Sequence, residues 1–481
     1  MKSRVFRILF YVILATFVLT PGRGLGAGAE RQTVQPATLQ APAAPALGTT
    51  TLVSLASDGS QGNDKSSYPT ISADGRYVAF ASIASNLVSG DTNNFCWNGS
   101  GGYDANCSDI FVHDRQTGST ARVSLASDGS QGNESSGGPS ISADGRYVAF
   151  SSTASNLVSG DTNGDVDIFV HDRQTGVTKR VSLASDGSQG NSGSFAPSTI
   201  SADGRYVAFY SGASNLVSGD TNGYSDVFVH DRQTGSTARV SLASDGSQGN
   251  DGSWSPSISA DGRYVAFVSN ASNLVSGDTN ENWEVFVHDR QTGSTQRVSV
   301  ASDGSQGNSV SEFPSISAYG RYVVFVSNAS NLVSGDTNEN WDVFVHDRQT
   351  DSTERVSVAS DGSQGNNICY SPPTISADGR YVAFSSVASN LVSGDTNSTD
   401  DIFVRDRQNG STERVSVASD GSQGNYWSSS PFISADGRYV AFYSDASNLV
   451  SGDTNETWDV FVHDREGRDF VFYLPVTQNQ P

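Results

Sequence analysis

Basic residues are scarce in this sequence: 29 lysines and arginines stand against 51 aspartates and glutamates, a formal net charge of -22. Binding to nucleic acid needs lysine and arginine gathered on one face against the phosphates, so nucleic acid is excluded as a partner and an anionic membrane surface with it. Solubility accounts for the acidic excess. Long apolar runs are equally rare. The first, Ile8 to Leu19, is too short to cross a bilayer as a stable helix. Preceded by Lys2, Arg4 and Arg7 and followed by Ala27-Gly28-Ala29, it reads as a secretory signal peptide over residues 1–29, with a retained anchor as the alternative. Residues 30–49, rich in Ala, Pro, Gln and Thr, cannot offset their ordering entropy and read as a flexible leader. No later run is long enough to span a membrane, so the mature chain is expected to be secreted or periplasmic, with no membrane insertion after signal cleavage.

There are only three cysteines. Cys96 and Cys107 bracket a short insertion and are the natural disulfide pair in an oxidising compartment, a link worth about 3 kcal/mol. Cys369 is left over and reads as a free, partly sheltered thiol, because no acid–base partner stands near it. An apolar rhythm of 3.6 residues never lasts beyond a turn or two, which leaves helices nearly absent. Catalytic signatures are missing as well: there is no GxSxG elbow and no HExxH, and SADGRY departs from the sialidase box SxDxGxTW because its glycine falls one residue early.

Self-similarity is what the sequence does have. ISADGRYVAF begins at Ile71 and returns with small changes at Ile141, Ile200, Ile258, Ile316, Ile375 and Ile433, at spacings of 70, 59, 58, 58, 59 and 58 residues. A unit repeated at fixed period cannot bury its apolar face alone and must stack on its copies. In the second copy, Pro139 to Ser142 is a short strand, Ala143-Asp144-Gly145-Arg146 a hairpin turn, and Tyr147 to Ser151 the returning strand. After the loop ASNLVSGDTNGDV come a third strand, Asp167 to His171, and a fourth, Thr178 to Ala184. Four-stranded meanders repeated seven times define an all-β, seven-bladed β-propeller over residues 50–465. The last copy stops after its third strand, and Leu52 to Ala56 carries fourth-strand sequence ahead of the first copy, so the N-terminal strand is expected to close the ring. Phe470 to Val476, FVFYLPV, lies in a C-terminal strand-like tail (466–481) and either competes for that place or adds a fifth strand.

ISADGRYVAFSS followed by DIFVHDRQTG resembles the WD40-like repeat of the TolB-type propellers over residues 51–465. The resemblance implies a secreted or periplasmic propeller with a central channel and names no ligand.

The copies also distinguish what the blade demands from what it leaves free. Six histidines (His113, His171, His230, His288, His346, His463) occupy one third-strand position, where the sixth blade has Arg405, and a position used so often reads as scaffold. The third strand opens on an acid in every copy, Asp167 in the second and Glu284 in the fourth, expected to accept hydrogen bonds from the loops. In the second blade Asp161, Asn163, Asp165 and Asp167 place oxygens at alternate positions as a calcium loop does, although asparagine and aspartate in turns explain the constant part without an ion. No other cofactor is expected.

Variation concentrates in two loops, the link into each first strand and the loop after ASNLVSGDTN, which emerge on one face of a propeller. The aromatics there, Tyr68, Trp97, Phe195, Trp254, Phe313, Tyr370, Tyr426 and Trp427, are the candidate ligand-binding residues. Trp283, Trp341 and Trp458 either join them or wedge between blades. These features point to a monomeric, non-catalytic binding or interaction module whose partner is an extracellular protein or polysaccharide. The alternatives are a propeller hydrolase or lyase acting on polysaccharide, and a structural envelope component without ligand.

Overall fold

A computed structural model describes residues 48–93, 96–97, 103–104 and 107–467. The expected signal peptide, nearly all of the leader and the FVFYLPV segment lie outside the described residues. Thr49, assigned to the leader by sequence, is instead the first residue of a strand.

Seven four-stranded antiparallel sheets make up the body, and no helix occurs among the described residues. Blade 2 is typical: Ser136–Ile141, Tyr147–Ser152, Asp167–Asp172 and Val177–Arg180 pair in that order from the axis outward. The first strand begins earlier than the sequence indicates, and the fourth ends earlier. Past Arg180 the chain turns into the SDGSQGN hairpin, closed by a bridge between Leu183 and Gln189, so those residues no longer extend the sheet. Blade 7 consists of Ser428–Ile433, Tyr439–Ser444 and Asp459–Asp464, and its outer strand is Thr49–Leu52, with Thr49 opposite Asp464 and Leu52 opposite Phe461. The N-terminal strand therefore fills the place for which FVFYLPV was the competitor, beginning three residues before the expected Leu52.

The repeated decapeptide makes the joints of the ring. In ISADGRY of blade 2, Ser142 Oγ donates to Asp144 at 2.7 Å and accepts from Tyr147 N at 2.9 Å, which fixes the hairpin. Gly145 takes φ +72°, and a Cβ there would lie 2.1 Å from the ring of Tyr77 in the preceding blade, so the turn is a socket for its neighbour. Tyr147 is clasped between Arg146 at 4.7 Å and Arg232 of the next blade at 4.3 Å. Around the axis the alanines of the seven turns join by backbone hydrogen bonds, from Ala73 N–H to Ala143 O at 3.1 Å through to Ala435 N–H back to Ala73 O at 3.2 Å. That circle closes on itself.

The core lies between blades. All six residues of DIFVHD are buried, because both faces of the third strand are covered by neighbouring sheets, and this is why the strand reads as an apolar run without alternation. Seven hydrophobic clusters fill the seven junctions, among them Val78, Phe80 and Ala84 of blade 1 against Ala441, Val460 and Val462 of blade 7. Each of the valines and phenylalanines among them contributes roughly 1.5–3 kcal/mol on burial.

Candidate functional site

The repeated polar residues hold blades to links. His171 Nδ1 lies 2.8 Å from Thr178 Oγ1, whose hydroxyl donates to the carbonyl of Leu125 in the link before the blade. The ring nitrogen must therefore be the donor, and the histidine is a neutral strut. Burial keeps it neutral, pushing His113, His230 and His463 down to about 4. None of these rings lies among the aromatics of the loop face.

The calcium expectation meets a different geometry. Arg180 Nη1 sits 3.1 Å from both Asp161 Oδ1 and Asp167 Oδ2, and Gln189 Nε2 donates to Asp161 at 3.0 Å. Asn163 Oδ1 accepts from Asp165 N at 3.1 Å, and the Asp165 side chain is exposed. The guanidinium occupies the space between the two carboxylates, so the four residues do not present a converging oxygen set. Among the described residues no three His, Cys, Asp or Glu side chains are grouped to hold a metal ion.

Cys96 and Cys107 form a disulfide, Cα to Cα 5.1 Å, beside a two-stranded ribbon of Cys96–Trp97 and Tyr103–Asp104. The side chain of Trp97 lies outside the described residues.

At the mouth of the ring, the innermost strand opens with the pattern Ser-x-x-Pro in six blades, whereas in blade 6 Cys369-x-x-Pro precedes a strand of only Thr374–Ile375. A bulge falls there in six blades, and the third position takes positive φ at Tyr68 (50°), Ser255 (50°), Phe313 (53°) and Ser430 (50°). Bulges re-aim side chains, and left-handed φ at non-glycine residues marks a conformation held by its surroundings. The first variable position reads Ser67, Gly137, Phe195, Trp254, Glu312, Tyr370 and Ser429 around the ring. The circle is thus lopsided: bulky in blades 3 to 6, small in blades 7, 1 and 2.

The structure sorts the expected aromatics into two groups. Phe195 stacks on Tyr210 (5.5 Å), Trp254 meets Trp283 (5.5 Å), and Tyr370 receives both Phe313 (5.5 Å) and Trp341 (4.8 Å). On the opposite side Tyr68 and Trp427 pack on Tyr443, and Trp427 on Trp458. Tyr426 stands 54 % exposed beside them. Three of these contacts, Trp254 with Trp283, Tyr370 with Trp341 and Trp427 with Trp458, join link residues to residues of the second-to-third-strand loops, so the two loops meet on one face; Tyr210 and Tyr443 come from second strands. Of the three ambiguous tryptophans, Trp283 is 43 % exposed, whereas Trp341 and Trp458 pack against the core.

Tyr210, Trp254, Trp283, Glu312, Phe313 and Tyr370 line a cavity of about 330 Å³ spanning blades 3 to 6. Glu312 is 7 % exposed and accepts one hydrogen bond, from the Tyr370 hydroxyl at 3.1 Å. Burial raises its carboxyl above the usual range, the tyrosine bond opposing. Sequence reasoning missed Glu312, Tyr210 and Tyr443. Comparing copies would have found them: the fifth residue of the second strand is tyrosine in blades 3 and 7 alone, and glutamate occupies the first Ser-x-x-Pro position once. A larger cleft of about 480 Å³ on the outer rim between blades 4 and 5 is lined by polar groups already tied together, as Gln296 is to Asp351 at 3.3 Å. It lacks aromatic rings.

No family model matches this sequence, and no curated protein matches it. The seven four-stranded sheets make the protein a β-propeller, and solved structures resemble it. TolB from Acinetobacter baumannii is 17% identical with a TM-score of 0.37, over 63% of this chain and 58% of that one. Oligogalacturonate lyase from Vibrio parahaemolyticus is 13% identical (TM-score 0.48, 83% and 90% covered), and the acylaminoacyl peptidase of Pyrococcus horikoshii 11% (TM-score 0.49, 84% and 52%). At these identities the likeness, to TolB as to the two enzymes, is one of fold.

Proposed function

We propose that this protein is a secreted or periplasmic, non-catalytic binding module that recognises an extracellular polymer or protein through its aromatic loop face. The observation that supports the reading is the lopsided mouth: in a ring whose scaffold is nearly identical in every blade, the first variable position is bulky only in blades 3 to 6, and Trp254, Glu312 and Tyr370 from that position line one cavity with Tyr210, Trp283 and Phe313. The blade scaffold alone gives no reason for four adjacent copies to carry Phe195, Trp254, Glu312 and Tyr370 where the other three carry serine or glycine. The cavity carries one carboxyl group and no histidine among its lining residues, whereas polysaccharide cleavage by general acid and base uses two positioned groups.

Tryptophan fluorescence and calorimetric titration against panels of neutral oligosaccharides and peptides test the reading. Binding should weaken at least tenfold in W254A and F313A with the melting temperature kept. Turnover of any polysaccharide in the panel, or binding that ignores both substitutions, overturns it.

A further inference from the structure

Glu312 is a nearly buried carboxylate among aromatic rings with no cation in the lining of its cavity. The Tyr370 hydroxyl donates to one of its oxygens, and the other lining side chains offer ring faces: Trp254 and Trp283 inclined at 41°, Phe313 and Tyr370 edge to face at 74°. Rings set at several angles around a single negative charge suit a cation better than a neutral sugar, which stacks on one plane and needs hydrogen-bonding groups around its rim.

The opposite sector of the same face supplies an internal comparison. Lys65 Nζ lies 4.8 Å over the ring of Trp458. Lys65 immediately precedes Ser66, whose N–H donates to the Trp458 carbonyl at 2.8 Å. At the junction of blades 4 and 5 the same bond runs from Ser311 N–H to the Trp283 carbonyl at 2.8 Å, and the residue before Ser311 is Val310. Where blade 7 has an ammonium of its own chain over the tryptophan, blade 4 has an aliphatic residue, a half-exposed ring and a carboxylate close by.

We infer that the cavity of blades 3 to 6 binds an organic ammonium cation, its charge facing Glu312 and its alkyl groups lying on Trp254, Trp283, Phe313 and Tyr370. This rests on the proposed binding role of the face and names the ligand chemistry. Two sources supply such a group, a choline headgroup and the side chain of a methylated lysine.

The test titrates the mature protein by calorimetry and tryptophan fluorescence with choline, with its neutral isostere dimethylbutanol, and with a trimethyllysine peptide. Choline or the peptide is expected to bind at least tenfold more tightly than dimethylbutanol, and E312Q, monitored for an unchanged melting temperature, to abolish that preference. Whichever of the two binds identifies the source. Equal binding of choline and the isostere, or a cation preference that survives in E312Q, overturns the inference; neutral oligosaccharides that still bind through Trp254 would then leave the broader binding role standing. Absence of binding by every probe overturns both. As a second variant, V310K places an internal ammonium at the position Lys65 holds, and is expected to compete with choline; undiminished choline affinity counts against the proposed seat.

Discussion

Cys369 occupies the position that the other six blades give to serine. Its amide donates to the Trp341 carbonyl at 3.0 Å as Ser311 does to Trp283, and its thiol bonds Ser386 as the hydroxyl of Ser428 bonds Ser444 at 2.9 Å. The sequence reading made it partly sheltered; the structure buries it at 1 % exposure, with its thiol pushed up to about 12 by desolvation. It should therefore resist a thiol reagent in the native protein and react once per chain only in denaturant, while C369S changes stability by no more than about 1 kcal/mol. Labelling of the native chain at the unfolded rate contradicts this. Two turn glycines, Gly262 of the decapeptide and Gly246 of the SDGSQGN hairpin, make a second test. Gly262 has φ +73° and an added Cβ would stand 2.1 Å from the Tyr206 ring, whereas Gly246, at +86°, has nothing within 4 Å. G246A should cost about 1–2 kcal/mol for its backbone alone, and G262A about 1–3 kcal/mol more for the clash. Urea midpoints that rank them the other way would refute the socket.

At the scale of the element, the outer strand of the closing blade lacks the arginine that ends this strand in the other six blades. In blade 2, Arg180 stands opposite Phe169 and lies between Asp161 and Asp167; in blade 7 the residue opposite Phe461 is Leu52. Gln61 bridges Asp453 at 2.8 Å and Asp459 at 2.7 Å, with no guanidinium of the described residues between them. Burial raises Asp459 to about 6. A folded-state value above the ordinary one means the fold prefers the protonated acid, so this group costs stability as pH rises from about 4 to about 6. L52R restores the missing cation and should stabilise the protein by about 1–2 kcal/mol at pH 7.5, with the gain shrinking toward pH 4.5 as Asp459 takes up its proton in the parent. Thermal melts of the two proteins across that range measure the difference, and no gain at neutral pH would disprove the account. The strands themselves were legible in the sequence because turn residues punctuate them at every copy. Their ends were not: Arg180 ends the outer strand because the link begins its own hairpin there, a tertiary preference invisible in local propensity.

At the scale of the whole molecule, the histidine struts act together. Each ties its third strand to the outer strand, through a threonine that reaches the preceding link, and the fold keeps the ring neutral by burying it. A depressed histidine value gives stability that is present above the ordinary value near 6.5 and lost as pH falls through the folded one. For His113, His230 and His463, held at about 4, the loss is on the order of 3 kcal/mol each by that pH. Because the ring is closed by circles of contacts, the losses should appear as one cooperative drop in melting temperature between pH 6.5 and 4. Blade 6 is exempt, since Arg405 donates to Thr412 Oγ1 at 3.0 Å and to the Gly410 carbonyl at 2.8 Å whatever the pH. A flat melting curve over this range would show that the struts do not carry the joint.

The number of blades and the strand count were determined by the sequence alone, because seven near-identical copies leave an array little freedom: each must bury the same faces against the same neighbours. Closure had two candidates in the sequence, and the pairing of Thr49–Leu52 with Asp459–Asp464 decided it. Only the tertiary structure decided which of the odd residues meet. Trp254 and Tyr370 are separated by two copies along the chain, and Glu312 is one variable residue among many, yet bending the array into a ring lines one cavity with all three. The same folding gave the oxygens of the apparent calcium loop to an arginine from another strand. Distance along the polypeptide carries no record of such encounters, since they depend on where a closed circle brings its segments back together.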